Sequence, residues 1–435
     1  MRIRALFAAL GWSLVPTGHA TSAPQAHASV QAEQPSQETL NDAYRQSIAD
    51  ARAGRYIAAS FGLLDRLHLK QSSQLSDPDV FDQWAQVMSC MTNVPTFNPA
   101  KDADFKVPPA QVADLRNATA APALEEIVKR ARRTRIVILD ENHLDPRNRA
   151  FALEVARALH PLGYSVLAIE ALKGAAEDDA ERAKMQALVA DGHARPSTGY
   201  YFDDPVFADF LRQSLALGYR PVSYETTRTN YASDSKVAQG QREKDQADAL
   251  LRRAVTAFPK QKILIYVGEH HAAERPIAAE GGGVRMMADY LKETSGIDPL
   301  TIDQAGLSPL PMNRPDVDLY AIADKKAPRQ SMVLMRRGQP LTVGLLAGSV
   351  DLQVVHPPLA LVHGRPSWLH EMGRITSPVP RRLLPAKGSR LIQAFLAADG
   401  NDAIPVDQVL ATADGPAPWL MLPHGPIRYA IQDRP

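Results

Sequence analysis

The sequence predicts an α/β protein: a mixed, largely parallel sheet flanked by helices, with an N-terminal helical segment and a β-rich C-terminal extension. Three observations carry that expectation. Four apolar runs of strand length, at 135–139, 165–169, 220–224 and 262–267, alternate with stretches of helical spacing, as parallel strands joined by helical crossovers do. Upstream of them, apolar residues recur at helical intervals only. Downstream, short β-type runs are broken by Gly and Pro, and much of the excess among the chain's 34 prolines falls there.

Residues 1–20 read as a signal peptide. Arg2 and Arg4 precede the apolar run 5–15, and small residues stand at Gly18 and Ala20 for cleavage, with Ala26 and Ala28 as a second candidate. The expected location is therefore periplasmic or secreted. Residues 21–38, rich in Ala, Gln, Ser and Pro without periodicity, read as a flexible linker. In the N-terminal helical segment, 39–118, Leu40, Tyr44, Ile48 and Ala51, then Tyr56, Ala59, Leu63 and Leu67, fit two amphipathic helices broken at Gly54. Phe81, Trp84, Val87 and Met88 fit a third, and 92–118 reads as loop. The α/β core, 119–310, opens on a helix near 123–132. Helices over 146–162, 178–192, 204–217 and 235–258 separate its strands. A glycine run at 281–283 then opens a helix over 284–294, and a short strand is expected near 300–302. The extension, 311–435, carries β-type runs at 331–335, 341–346, 352–355 and 359–362, a helix near 389–398 and a closing hairpin about 423–426.

The bulk numbers exclude some classes of function. A net charge of +1 gives no electrostatic basis for a nucleic-acid partner. Past the signal peptide no apolar stretch is long enough to span a membrane. Cys90 is the single cysteine, so neither an intramolecular disulfide nor a cysteine-based metal cluster can form. The expected partner is a small-molecule or peptide substrate.

The four core runs each end at an acid or a histidine: Glu141 and His143, Glu170, Glu225, and the run Gly268-Glu-His-His271. Ligands of open α/β sheets bind outside the carboxyl ends of the strands, so these groups would gather at one edge. Glu141 and His143, two apart, share a side if the chain stays extended. Of His270 and His271 one points inward, and His271 is the expected one. Carboxylates and imidazoles are what divalent transition metals accept. The same groups can instead move protons without a metal. No His-Glu-x-x-His, Gly-x-Ser-x-Gly, Walker or dinucleotide motif is present.

Glu141-x-His143 at a strand end, Ile169-Glu170 at another, the segment 242–247 beginning Arg242-Glu243, and Val267-Gly-x-x-His271 together resemble the erythromycin esterase / ChaN / Tiki superfamily over about 120–300. The resemblance implies Glu141, His143, Glu170 and His271 as site residues, and as carboxylates and imidazoles these four are the expected ligands of a divalent metal, zinc or manganese. It sets Arg242 on a helix facing them. One departure is Asp140, where the family has glycine. Erythromycin esterases hydrolyse a lactone, Tiki-like members resemble metal-dependent proteases, and ChaN-like members bind haem. The resemblance thus implies an exported hydrolase of esterase or metal-dependent peptidase type. Its alternatives are a haem- or iron-binding protein, with Tyr200 or Tyr201 as an axial ligand beside His, and a non-catalytic binding protein on the same scaffold.

Overall fold

The computed structural model describes residues 35–434 apart from 97–102, 174–178, 227, 229, 233–234, 278–282, 310 and 312. The signal peptide and most of the linker lie outside the described residues. Four helices come first: α1 (Gln37–Arg52), α2 (Tyr56–Arg66), α3 (Pro78–Thr92) and α4 (Pro109–Arg116), the last inside a stretch expected to be loop.

Nine strands then build one sheet. They are β1 (Thr119–Pro122), β2 (Ile136–Glu141), β3 (Tyr164–Ile169), β4 (Arg220–Ser223), β5 (Lys262–Gly268), β6 (Leu300–Asp303), β7 (Met332–Arg336), β8 (Gln339–Pro340) and β9 (Leu352–Val355). Their order is β1-β7-β9-β6-β2-β5-β3-β4, with β8 on β7. Every pairing from β9 to β4 is parallel, and β7 runs antiparallel to β1, β8 and β9. The sheet is mixed and largely parallel, and it draws strands from both sides of residue 310.

Its strands are apolar on both faces, as a sheet covered on both sides requires. Ile136, Ile138, Val166, Ile263 and Ile265 face one layer, and Val137, Leu139, Leu167, Leu264 and Tyr266 the other. Helices α5 (Ala123–Ala131), α6 (Pro146–Leu159) and α8 (Pro205–Ala216) pack on the second face, with α7 (Asp179–Asp191) between α6 and α8 in the chain. Helices α9 (Ser235–Leu250) and α10 (Met287–Ser295) pack on the first. Helix α10 begins later than 284, and Gly281 and Gly282 lie outside the described residues. A short α11 (Leu319–Ala323) leads into β7.

The C-terminal region is β-rich. Strands β10 (Leu361–Val362) and β11 (Arg365–Pro366) pair, as do β12 (Ile375–Pro378) and β15 (Trp419–Leu422). Strand β13 (Ser389–Leu396) lies between β14 (Asp407–Thr412) and β16 (Ile427–Arg434). Two expectations are corrected here. The helix near 389–398 is strand β13: its local propensity yields to ladders on both edges, reinforced by Gln393, which bonds Gln408 on one side and Gln432 on the other. The closing hairpin does not form, because β15 and β16, though adjacent in the chain, join different sheets.

The N-terminal helices pack against the C-terminal strands. Gln408 Nε2 donates to Cys90 O (3.0 Å), Asn93 Nδ2 to Asp407 Oδ1 (3.1 Å) and Gln432 Nε2 to Gly54 O (2.5 Å). Tyr56 Oη donates to Asp203 O (2.7 Å), just before α8. Leu144, next to His143, packs against the cluster formed by α1–α3. The helical segment thus abuts the loops that carry the site.

Candidate active site

Parallel register brings the expected groups together. Glu141 at the end of β2 is level with Gly268 at the end of β5, and Ile169, just before Glu170, is level with Tyr266. Strand β4 lies outside β3 and delivers Glu225. Helix α9 adds Arg242, Glu243 and Gln246; the first and last, one turn apart, share a face.

Glu141 continues the alternation of Val137 and Leu139, which points it toward α6. There Arg149, fully buried, donates from Nε to Glu141 Oε2 (2.8 Å) and from Nη2 to Oε1 (3.2 Å), and its Nη1 bonds Asp204. Tyr266 Oη also donates to Oε2 (2.8 Å). Burial pulls the Glu141 carboxyl up, but the Arg149 charge and the His143 bond outweigh it and hold the group down to about 2. An ionised Glu141 accepts the bond from His143 Nδ1 (2.8 Å), which orients the ring and, in the neutral imidazole, sets the proton on Nδ1. Tyr201, at φ 62°, stacks on that ring with centroids 4.3 Å apart.

His271 is held in the same way. Its Nδ1 lies 2.7 Å from Glu243 Oε2, which also accepts Met287 N–H (2.7 Å). Its Nε2 lies 3.6 Å from Glu170 Oε1 and 3.4 Å from Arg242 Nη1. Burial pulls the imidazole pKa down, but the Glu243 and Glu170 charges outweigh it and the Arg242 charge together, so the pKa is raised. Glu170 lies between the two histidines. Arg242 Nη2 donates to its Oε1 (2.5 Å) and to Glu225 Oε2 (2.5 Å), and Gly268 N–H donates to its Oε2 (2.8 Å). Burial pulls the Glu170 carboxyl up, but the charges of His271, Arg242 and His143, with the Gly268 bond, outweigh it and hold the group far below the carboxylate range.

All five expected site residues, Glu141, His143, Glu170, Arg242 and His271, therefore meet at one edge of the sheet. Asp140 does not join them. It alternates to the other face, where Gln304 N–H donates to its Oδ1 (2.8 Å), and burial and Asp303 push its carboxyl well up. His270, at φ 70°, turns to the same side, and burial followed by the His271 charge lowers its pKa to about 4. Glu243, Arg149, Tyr201 and Tyr266 are added by the fold. Glu243 was adjacent to Arg242 in a segment already singled out, whereas nothing in the local sequence marks Arg149.

The expected metal ligands do not fit a metal. Both Glu141 oxygens and both Glu170 oxygens already accept hydrogen bonds, and the Arg242 guanidinium stands beside His271 Nε2 where a cation would be repelled. Among the described residues no group of three or more His, Cys, Asp or Glu side chains is placed to hold a metal ion. Tyr201 is buried beside the site, and burial and the Glu170 and Glu141 charges push its phenol pKa up.

Gly268 is where a side chain has no room. A Cβ there would stand 2.8 Å from His143 Nε2 and 3.2 Å from Glu170 Oε2. Gly268→Ala is expected to push the His143 ring aside and cut kcat by roughly 100-fold while the melting temperature moves little, since displacements near 1 Å cost about that much. Unaltered kcat would mean that His143 is not positioned by this strand end.

No protein-family model and no curated protein matches the chain. Solved structures do show likeness. Among them is ChaN of Campylobacter jejuni, solved with cofacial haem, at TM-score 0.33 and 9% identity over 53% of this chain and 91% of that one. The type III effector HopBA1 gives TM-score 0.29 and 14% identity over 48% and 88%. RRSP, a MARTX toxin effector domain from Vibrio vulnificus, gives TM-score 0.30 and 18% identity over 48% of this chain and 40% of that one. Likenesses at this level do not assign an activity.

Proposed function

We propose that the protein is an exported hydrolase that activates water with two carboxylate-braced histidines and without a metal. The observation that carries this reading is the pair of Nδ1–carboxylate bonds, His143 to Glu141 and His271 to Glu243, around one shared Glu170. Each brace fixes ring orientation and tautomer, which is what a proton-transfer residue requires. His143, with Nε2 unprotonated, takes a proton from water as its oxygen attacks the carbonyl carbon. Arg242 and protonated His271 oppose the negative charge that develops on the carbonyl oxygen. As the bond to the leaving group breaks, His271 Nε2 gives its proton to that oxygen or nitrogen. His143 then releases the proton it took to solvent water, from which His271 is reprotonated, and water has been added across the bond.

The test is a screen of the mature protein against 4-nitrophenyl esters, lactones and peptides, with His143→Asn as control. Turnover that disappears in the variant supports the reading. Absence of turnover together with a Soret band on adding hemin would favour a ChaN-like haem role instead. Export rests on the segment 1–20, and the mature chain is expected to begin at Thr21 or Ser29. Mass spectrometry of protein recovered from the producing cells that found Met1 retained would contradict it.

A further inference from the structure

The segment carrying Glu170 runs on to Lys173 beside the segment carrying Tyr201. A bridge joins Leu172 and Gly199, Tyr200 N–H donates to Ala171 O (2.8 Å), and Lys173 N–H donates to Thr198 O (2.9 Å). The approach is close enough that a Cβ on Gly199 would stand 2.0 Å from Ala171 O, so only glycine fits there. Beyond this pairing, Lys173 Nζ lies 4.7 Å from the centre of the Tyr200 ring, and Arg52, in the last turn of α1, brings its Cζ to 5.3 Å from the same ring.

One aromatic ring thus gathers an ammonium and a guanidinium, each attracted by its π face. Neither cation donates to a carboxylate among the described residues. Asp203 interacts with Arg52, and Glu181 and Lys184 interact with Lys173, but Glu181 is already bonded to Lys184. Lys173 is half-buried, which disfavours leaving its charge unanswered, and the neighbouring Arg52 charge adds to that cost. A helix C-terminus accounts for Arg52 alone. It does not account for Lys173 beside it.

We propose that Arg52, Lys173 and Tyr200 form a subsite for an anionic group of the substrate, a carboxylate or a phosphate, next to the catalytic lip formed by Glu170 and Tyr201. The subsite rests on the hydrolase reading above for its role, though not for its ability to bind an anion.

The experiment compares 4-nitrophenyl butyrate with 4-nitrophenyl hydrogen succinate on the full mature protein, Lys173→Gln, Arg52→Gln and Lys173→Arg. The ratio of kcat/KM for the anionic ester to that for the neutral one is expected to fall about tenfold in each Gln variant, the scale of one charge-assisted bond, and to persist in Lys173→Arg. A ratio that is the same in all four proteins overturns the subsite and leaves the hydrolase reading standing. Calorimetry on His143→Asn with succinate and with inorganic phosphate separates the two anions. Binding that is lost on adding Lys173→Gln supports the subsite even if neither ester is turned over, an outcome that would count against the hydrolase reading alone. Binding of neither anion overturns it.

Discussion

His143→Asn and His271→Asn each lower kcat/KM by roughly 10²–10⁴-fold, the usual contribution of a positioned acid or base, without unfolding the protein. Asparagine keeps an N–H near the place of Nδ1, so Glu141 and Glu243 retain a donor while the Nε2 chemistry is removed. The two variants differ in pH profile. The His271 pKa is raised, so its proton is present at and above the ordinary 6.5 and is lost as pH rises through the folded value. Wild-type activity therefore falls on the alkaline side, above 6.5, and that limb is absent from the residual activity of His271→Asn but present in that of His143→Asn. The same sign governs stability: the pairing of His271 with Glu243 and Glu170 contributes fully below 6.5 and is lost as pH rises through the raised value. Steady-state kinetics across pH reads both effects. Equal alkaline limbs in both variants would remove His271 as the acid.

Arg149→Leu is expected to give the largest loss of stability. Arg149 is 0% exposed, holds both Glu141 oxygens, bonds Asp204, donates to His143 O (3.0 Å) and places its guanidinium 4.7 Å from the centre of the Phe207 ring. Removing it strands two buried carboxylates, and breaking a buried pair in this way costs about 3–5 kcal/mol. The melting temperature should drop by roughly 3–6 °C at neutral pH, given the entropy of unfolding of a chain of this length. The difference should shrink in acid. Glu141, held to about 2 in the folded wild type against an ordinary 4.5, contributes stability that is present above 4.5 and lost as pH falls toward 2. Without Arg149, burial dominates and the carboxyl protonates early, so the variant loses less on acidification. A drop of only a degree or two at neutral pH would show that Arg149 is not the counter-ion on which Glu141 depends.

The strand ends were legible in the sequence because parallel strands buried on both faces read as unbroken apolar runs, and polar residues that end such a run stand at its carboxyl edge. Period-two alternation explains why Glu141 and not Asp140 faces the site. His271 was the expected inward residue of the adjacent pair, and the backbone of His270 at φ 70° is what separates the two in the fold. Arg149 was not legible. An arginine on an amphipathic helix reads as solvated until the sheet places Glu141 and Asp204 against it. Strand β13 was misread for a related reason: Leu391, Ala394 and Phe395 suit a helix by spacing, and only the ladders to β14 and β16 make them a strand. The metal expected on Glu141, His143, Glu170 and His271 followed from residue types alone. Residue types do not reveal that Arg149 and Arg242 already supply the positive charge those carboxylates need.

The most direct test of metal-free water activation is the turnover of a cleaved ester by mature protein stripped with chelator and assayed in its presence. The arrangement of His143, His271, Glu170 and Arg242 predicts undiminished turnover that vanishes in His143→Asn. Turnover lost on stripping and restored by zinc or manganese would contradict it, and would return the four expected ligands to a metal.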